Sequence, residues 1–287
     1  KKQISFNQAA EKMVEELCSE YGALIQIWFD RATKLPHEGG PNILPIFNKY
    51  QPNSVFYHAS KRSDHRWIGN EEGIADYPCW STMPDGEMIY SLAKSWQPIL
   101  GTGDPNGRIW SPAMVDVPLR GDKGIHNWFW SPSQDHAMFS KEKLINMYYT
   151  SVGRNCNLVL GEVISPEGLV PESDIKILKQ FGEEISRRFD DPIAQTHGNG
   201  LEIILKIPNN CTINHVIIQE NIKIGERVRE YIIEGKVKRN WIKLCEGKSI
   251  GNKRIQKFNS LDCSLLRLRI NKCIAEPSIK NFSAYFI

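Results

Sequence analysis

A chain of 287 residues, 41% hydrophobic and 24% charged, can bury a sizeable core as one large or two ordinary domains. Its net charge of +3, with acids and bases interspersed, argues against a nucleic-acid partner, and no apolar run approaches the ~18 residues that span a bilayer. The seven cysteines include no Cys-x-x-Cys pair and no zinc-ligand spacing, so no metal site is expected.

The chain opens Lys1-Lys2-Gln3 without a signal-like start, which reads as a mature or partial chain. Residues 7–21 follow at once with Ala10, Met13, Val14, Leu17, Cys18 and Tyr21 at three- and four-residue steps. That spacing predicts an amphipathic helix, with Asn7 as N-cap and Gly22 as its stop. The run Ala23-Leu24-Ile25-Gln26-Ile27-Trp28-Phe29 is too continuously apolar for a half-exposed strand. It predicts a strand buried on both faces, as in a parallel sheet covered by helices. Asp30 stands at its carboxyl end, the catalytic face of a (β/α)8 barrel.

Further strands are predicted at Ser54–His58, Tyr77–Trp80, Pro112–Val117 and Asn157–Leu160, with helices over 140–151 and 173–189. The second helix has Glu172 and Asp174 in its first turn and Arg187 and Arg188 in its last, as the helix dipole favours. These give about five of the eight strands a closed barrel needs, and the other three are expected before Lys1. From about residue 200 the texture changes to short alternating strands punctuated by Gly and Asn. They are Leu201–Ile207, His215–Gln219, Val228–Glu234, Trp241–Cys245, Arg254–Phe258, Leu265–Ile270 and Phe282–Phe286. Spacing of roughly ten residues predicts an antiparallel β-sandwich. The expected division is therefore a partial (β/α)8 domain over 1–190 and a β-sandwich over 191–287, an α/β chain with its boundary near Asp190-Asp191-Pro192.

Chemistry needs a partner for Asp30. The polar, Gly-bearing stretch Arg66-Trp67-Ile68-Gly69-Asn70-Glu71-Glu72-Gly73 supplies two candidate acids beside a Trp that could wall a sugar site. On spacing alone the pairing is one of many, and an Asp at a strand end is more often a cap or ion-pair partner. Eight Trp, nine Tyr and eleven Phe provide faces that stack on sugars, although most aromatics are core. His58, His65, His126 and His136 share no metal-ligand spacing and read as satisfied or solvated side chains.

The ordered motifs sharpen this. Trp28-Phe29-Asp30, Gln51-Pro52-Asn53, Arg66-Trp67-Ile68-Gly69-Asn70-Glu71 and Cys79-Trp80-Ser81-Thr82 resemble the α-L-fucosidases of glycoside hydrolase family 29, most of all the subgroup preferring α-1,3/1,4-linked fucose. Pro112-Ala113 with Asp116-Val117, Trp128-Phe129, Tyr148–Asn155 and Gly168–Glu172 come in the family's order. So do Glu220-Asn221-Ile222, Gly225–Val228, Ser249–Ile255 and Leu266–Ile270 in the tail. The resemblance covers nearly the whole chain.

It implies a retaining exo-α-L-fucosidase acting on fucosylated glycans or glycoproteins, without metal, cofactor, nucleic acid or membrane. Asp30 takes the nucleophile's position and Glu71, rather than Glu72, that of the acid/base; Arg120 and Trp128 match a region bordering the family's sugar site, and Trp80 is a further substrate-binding candidate that reads more simply as barrel wall. It further implies a galactose-binding-like C-terminal sandwich, and an N-terminal fragment or second chain completing the barrel, whose first strands carry most of the fucose-gripping residues. Asn210-Cys211-Thr212 and Asn281-Phe282-Ser283 fit the N-glycosylation pattern and point to a secreted or lysosomal protein. Two departures stand out: Arg31 where the family has Gly, and Gly161-Glu162 where it continues with Asn after Leu-Leu-Leu. Arg31 and the barrel strands expected before Lys1 motivate a second reading, a fucosidase-like protein without activity that serves as a glycan-binding or structural component.

Overall fold

The computed structural model describes residues 5–30, 34–59 and 61–287, so Arg31 lies outside the described residues. Helix α1 spans Phe6–Glu20 and is capped by Ser5 rather than Asn7. The Ser5 hydroxyl accepts from the Gln8 amide while the Gln8 side chain accepts from the Ser5 amide, a reciprocal box that satisfies two first-turn donors. Gly22, at φ +80°, lets the chain leave the helix through the left-handed region. Only Val14 and Cys18 of the predicted apolar face are buried; Met13, Leu17 and Tyr21 stay exposed.

The strand that follows corrects the expectation of a long, doubly buried element. β1 is Gln26–Trp28, its residues are exposed or half-buried, and Ile25 before it is 89% exposed. It pairs in parallel with β2 (Val55–Tyr57). Helix α2 (Leu44–Tyr50), which periodicity alone did not single out, crosses beneath them. Its Phe47 packs with Val14, Cys18 and Phe56 in one apolar cluster.

β3 (Arg66–Trp67), β4 (Thr82–Met83), β5 (Ile109–Trp110), β6 (Ala113–Pro118) and β7 (Cys156–Gly161) complete this half. β3, β6 and β7 form a second parallel sheet in that order, while β4 and β5 make a small antiparallel pair. Helices α3 (Lys141–Thr150) and α4 (Glu172–Phe189) cover the β6–β7 side: Leu144 and Met147 meet Val117, Leu158, Leu160 and Phe181. Tyr77–Trp80, predicted as a strand, is a loop. Its amides are taken elsewhere: Cys79 N donates to Ser249 Oγ at 3.1 Å and Trp80 N to Thr102 O at 2.8 Å.

After Phe189 the chain becomes antiparallel. β8 (Ala194–Asn199), β9 (Glu202–Lys206), β10 (Thr212–Glu220), β11 (Val228–Val237), β12 (Asn240–Gly247), β13 (Arg254–Asp262), β14 (Leu265–Cys273) and β15 (Ser278–Tyr285) sort into two four-stranded sheets. One runs β13-β10-β15-β8 and the other β12-β11-β14-β9. Alternate side chains of both, among them Ile213, Ile218, Ile233, Leu266, Leu268 and Phe282, bury in one apolar cluster. All seven cysteines are free thiols.

The two halves meet through polar groups withdrawn from water. Asn155 Nδ2 donates to Glu226 Oε1 at 2.6 Å, Ser81 N to Glu226 Oε2 at 2.9 Å, and Asn252 N to Asn155 Oδ1 at 2.7 Å. Glu226 is 5% exposed, so these bonds replace hydration that burial removes. Among the described residues, no helix is long and apolar enough to cross a membrane.

Candidate functional site

Four positions of interest lie at or just beyond the carboxyl ends of parallel strands. Asp30 follows β1 by two residues, Glu71 follows β3 by four, Asp116 is near the end of β6, and Gly161 closes β7. Parallel strands place these positions on one face, where loops can carry side chains over the sheet edges.

Asp30 is exposed and borders a cleft of about 180 Å³ shared with Phe29, Leu35, His58 and Tyr90. The His58 ring stacks at 5.5 Å from that of Tyr90. Burial pushes His58 down to about 4, against the opposing effect of the Asp30 charge. At neutral pH this imidazole is uncharged and offers a donor and an acceptor nitrogen. His65 lies behind it across Tyr57, whose ring stacks on His65 at 4.7 Å. Burial likewise holds His65 at about 4, and its Nε2 meets the Gln26 amide at 2.8 Å.

Glu71 is gripped on one oxygen. His126 Nε2 lies 2.5 Å from Glu71 Oε2, and Trp128 Nε1 lies 3.4 Å from the same oxygen and 3.2 Å from His126 Nε2. The Trp128 ring rests over the end of β7, where the residue is glycine. A methyl group at Gly161 would lie 2.3 Å from Cζ3 and 2.5 Å from Cε3 of that ring, far inside van der Waals contact. Gly161 is therefore the seat of Trp128, which explains locally why no larger residue stands there.

A third carboxyl, Asp116, stands on β6 beside β3. Trp67 Nε1 donates to Asp116 Oδ1 at 2.7 Å, and Asp116 is 6% exposed. The register of β3 on β6 fixes this contact, since Trp67 pairs with Met114, two residues before Asp116. Burial raises Asp116 above the usual carboxylate range; the Trp67 bond opposes this, and the charges of Glu71 and Asp30 both add to the rise.

Two expected substrate contacts are corrected. Arg120 is 1% exposed, with its guanidinium taken by Asp174 at 2.6 Å and Asp135 at 2.9 Å. Trp80 is 4% exposed and packs under Arg229, whose guanidinium sits 4.6 Å above the ring. Neither presents surface to a sugar: Arg120 anchors a loop and Trp80 walls the junction. Trp128 lies beside Glu71 and His126. His126 and Asp116 are the residues sequence reasoning did not assign. A usable signal was the two-residue step from His126 to Trp128, which in extended chain puts both side chains on one side. Among the described residues, no group of three His, Cys, Asp or Glu is placed to hold a metal ion.

No family model matches the chain. It is 26% identical to Alpha-L-fucosidase 1 of Arabidopsis thaliana over 99% of its own length, spanning 62% of that protein. The crystal structure of a "putative alpha-L-fucosidase" from Bacteroides thetaiotaomicron superposes over the whole chain with a TM-score of 0.93 at 45% identity, and the chain covers 68% of it. A glycoside hydrolase 29 family member from an unknown rumen bacterium superposes with a TM-score of 0.82 at 26% identity, over 98% of this chain and 54% of that one. On this combination of identity and coverage, the chain belongs to the α-L-fucosidases of glycoside hydrolase family 29.

Proposed function

We propose that the protein is a retaining exo-α-L-fucosidase whose two reacting carboxyls are Asp30 and Glu71. The observation that supports this most is their placement just after the carboxyl ends of the parallel strands β1 and β3, at two and four residues beyond them. Retention requires a carboxylate that attacks the anomeric carbon and an acid that protonates the departing oxygen, roughly 5–5.5 Å apart. Asp30, exposed at the mouth of its cleft, forms the glycosyl–enzyme bond. Glu71 gives its proton to the leaving sugar, then takes one from the water that releases fucose. Trp128 borders the sugar site.

On the same reading the five parallel strands are an arc of the family's (β/α)8 barrel, over 1–190. The two antiparallel sheets over 191–287 are a galactose-binding-like β-sandwich. The substrates are fucosylated glycans or glycoproteins, with the α-1,3/1,4 linkage preference of the subgroup the motifs resemble. The further strands of the barrel come from an N-terminal segment or second chain, and the protein works in a secretory or lysosomal compartment.

The test is hydrolysis of an aryl α-L-fucoside, with Asp30→Asn as control. Release of aryl alcohol by the wild type, falling at least about 10³-fold in the variant, is the expected result. If wild type and variant turn over equally slowly while fucosylated glycans still bind, the protein is a glycan-binding relative instead.

A further inference from the structure

We propose that His126 is a positioning residue that serves Glu71 in both of its protonation states. The inference rests on the reading of Glu71 as acid/base. Three observations carry it. First, His126 and Trp128 both approach Oε2, at 2.5 and 3.4 Å, which fixes the carboxyl plane and turns Oε1 towards a leaving oxygen.

Second, the partner is an imidazole. With its proton on Nε2, a neutral imidazole donates to Oε2 both when the carboxyl carries its transferable proton on Oε1 and when it is ionised. Oε1 then gives its proton in the first half of the reaction and takes one in the second while Oε2 stays held; the Trp128 indole, a donor only, supports the same oxygen at 3.4 Å. His126 is 48% exposed at its side chain, so its tautomers exchange through water.

Third, the pair is held from behind. The loop that carries His126 and Trp128 starts at Arg120, whose carbonyl accepts from Asn127 N at 3.1 Å. The guanidinium of Arg120 locks that start to α4 through Asp174 and pins the loop's far side through Asp135. Gly161 receives the Trp128 ring from β7. His126 is therefore presented to Glu71 by buried groups, although it is itself at the surface.

Leaving-group dependence separates this role from a structural one. A dinitrophenyl leaving group departs as a stable anion and needs no proton, whereas an alkyl leaving group does. In His126→Phe, kcat/KM should fall by about 10²-fold on an alkyl or disaccharide α-L-fucoside and by less than about 3-fold on the dinitrophenyl substrate. His126→Gln, whose amide also offers a donor, should recover part of the loss. If His126→Phe does not fold, the same ratio is read on Trp128→Phe. Equal losses on both substrates, or no loss on the alkyl one, overturn the inference. A wild type inert towards both substrates overturns the fucosidase reading and, with it, the role given to His126.

Discussion

Asn155, just before β7, and Glu226, just before β11, share a hydrogen bond of 2.6 Å across the junction of the two halves. The other Glu226 oxygen accepts the backbone amide of Ser81. One carboxylate thus satisfies two donors that water cannot reach. Glu226→Ala should cost about 2–4 kcal/mol, because removing one acceptor leaves two donors buried and unpaired. Glu226→Gln, which keeps one acceptor oxygen, should cost about half as much. Midpoints of urea unfolding measure both; equal values would show that the charge, and not the acceptor count, matters.

Among the described residues, Arg120 and Asp174 form the most deeply buried ion pair, at 1% and 0% side-chain exposure. Arg120→Ala leaves Asp174 as an uncompensated buried ion and should destabilise by about 3–5 kcal/mol. The double variant Arg120→Met with Asp174→Leu should recover most of that loss, since it removes both charges and keeps the volume. Thermal unfolding of the two variants decides this; a double variant as unstable as the single one would assign the cost to shape.

Glu162 has both carboxylate oxygens buried without a hydrogen-bond partner among the described residues. Burial first, then the charge of Asp174, raises it to about 7, while Arg120 opposes the rise. The folded protein thus binds this proton more tightly than the unfolded chain, whose glutamates titrate near 4.5. Its contribution to stability is present below about pH 4.5 and is lost as pH rises to about 7. Glu162→Gln cannot ionise, so its melting temperature should gain on the wild type's across that window. Parallel melting curves from pH 4.5 to 7.5 would sink this account.

Gly161→Ala places a methyl where the Trp128 ring now lies. The ring must move away from Glu71, at a cost of about 1–3 kcal/mol for the overpacked site. Activity on alkyl fucosides should fall with it. A crystal structure of the variant with Trp128 unmoved would remove this explanation for the glycine.

Much of this was legible in sequence, for identifiable reasons. The later strands were found because alternation at a sheet with one wet face is a strong signal: Leu201–Ile207 overlaps β9 to within one residue at each end, and Leu265–Ile270 starts with β14 and stops three residues before its end. β8, Ala-Gln-Thr-His-Gly-Asn, was missed because it is an edge strand with little apolar content. Tyr77–Trp80 read as a strand from its aromatics, yet its backbone donors bind a serine 170 residues away in sequence; periodicity carries no such information. Arg120 was placed near the sugar because motifs give order but not depth. His126 was passed over since a histidine's role depends on what stands 2.5 Å from it, which sequence distance does not report.

The parallel strands β1 and β7 each pair on one side only among the described residues. Each therefore presents a row of amides and carbonyls in the geometry that recruits another strand. Ile25, almost fully exposed beside β1, adds apolar area to one of them. Such edges are adhesive: produced without a covering strand, this stretch of chain is prone to self-association and inclusion bodies. Its handling in the test tube is set as much by those two rows as by the carboxylates above them.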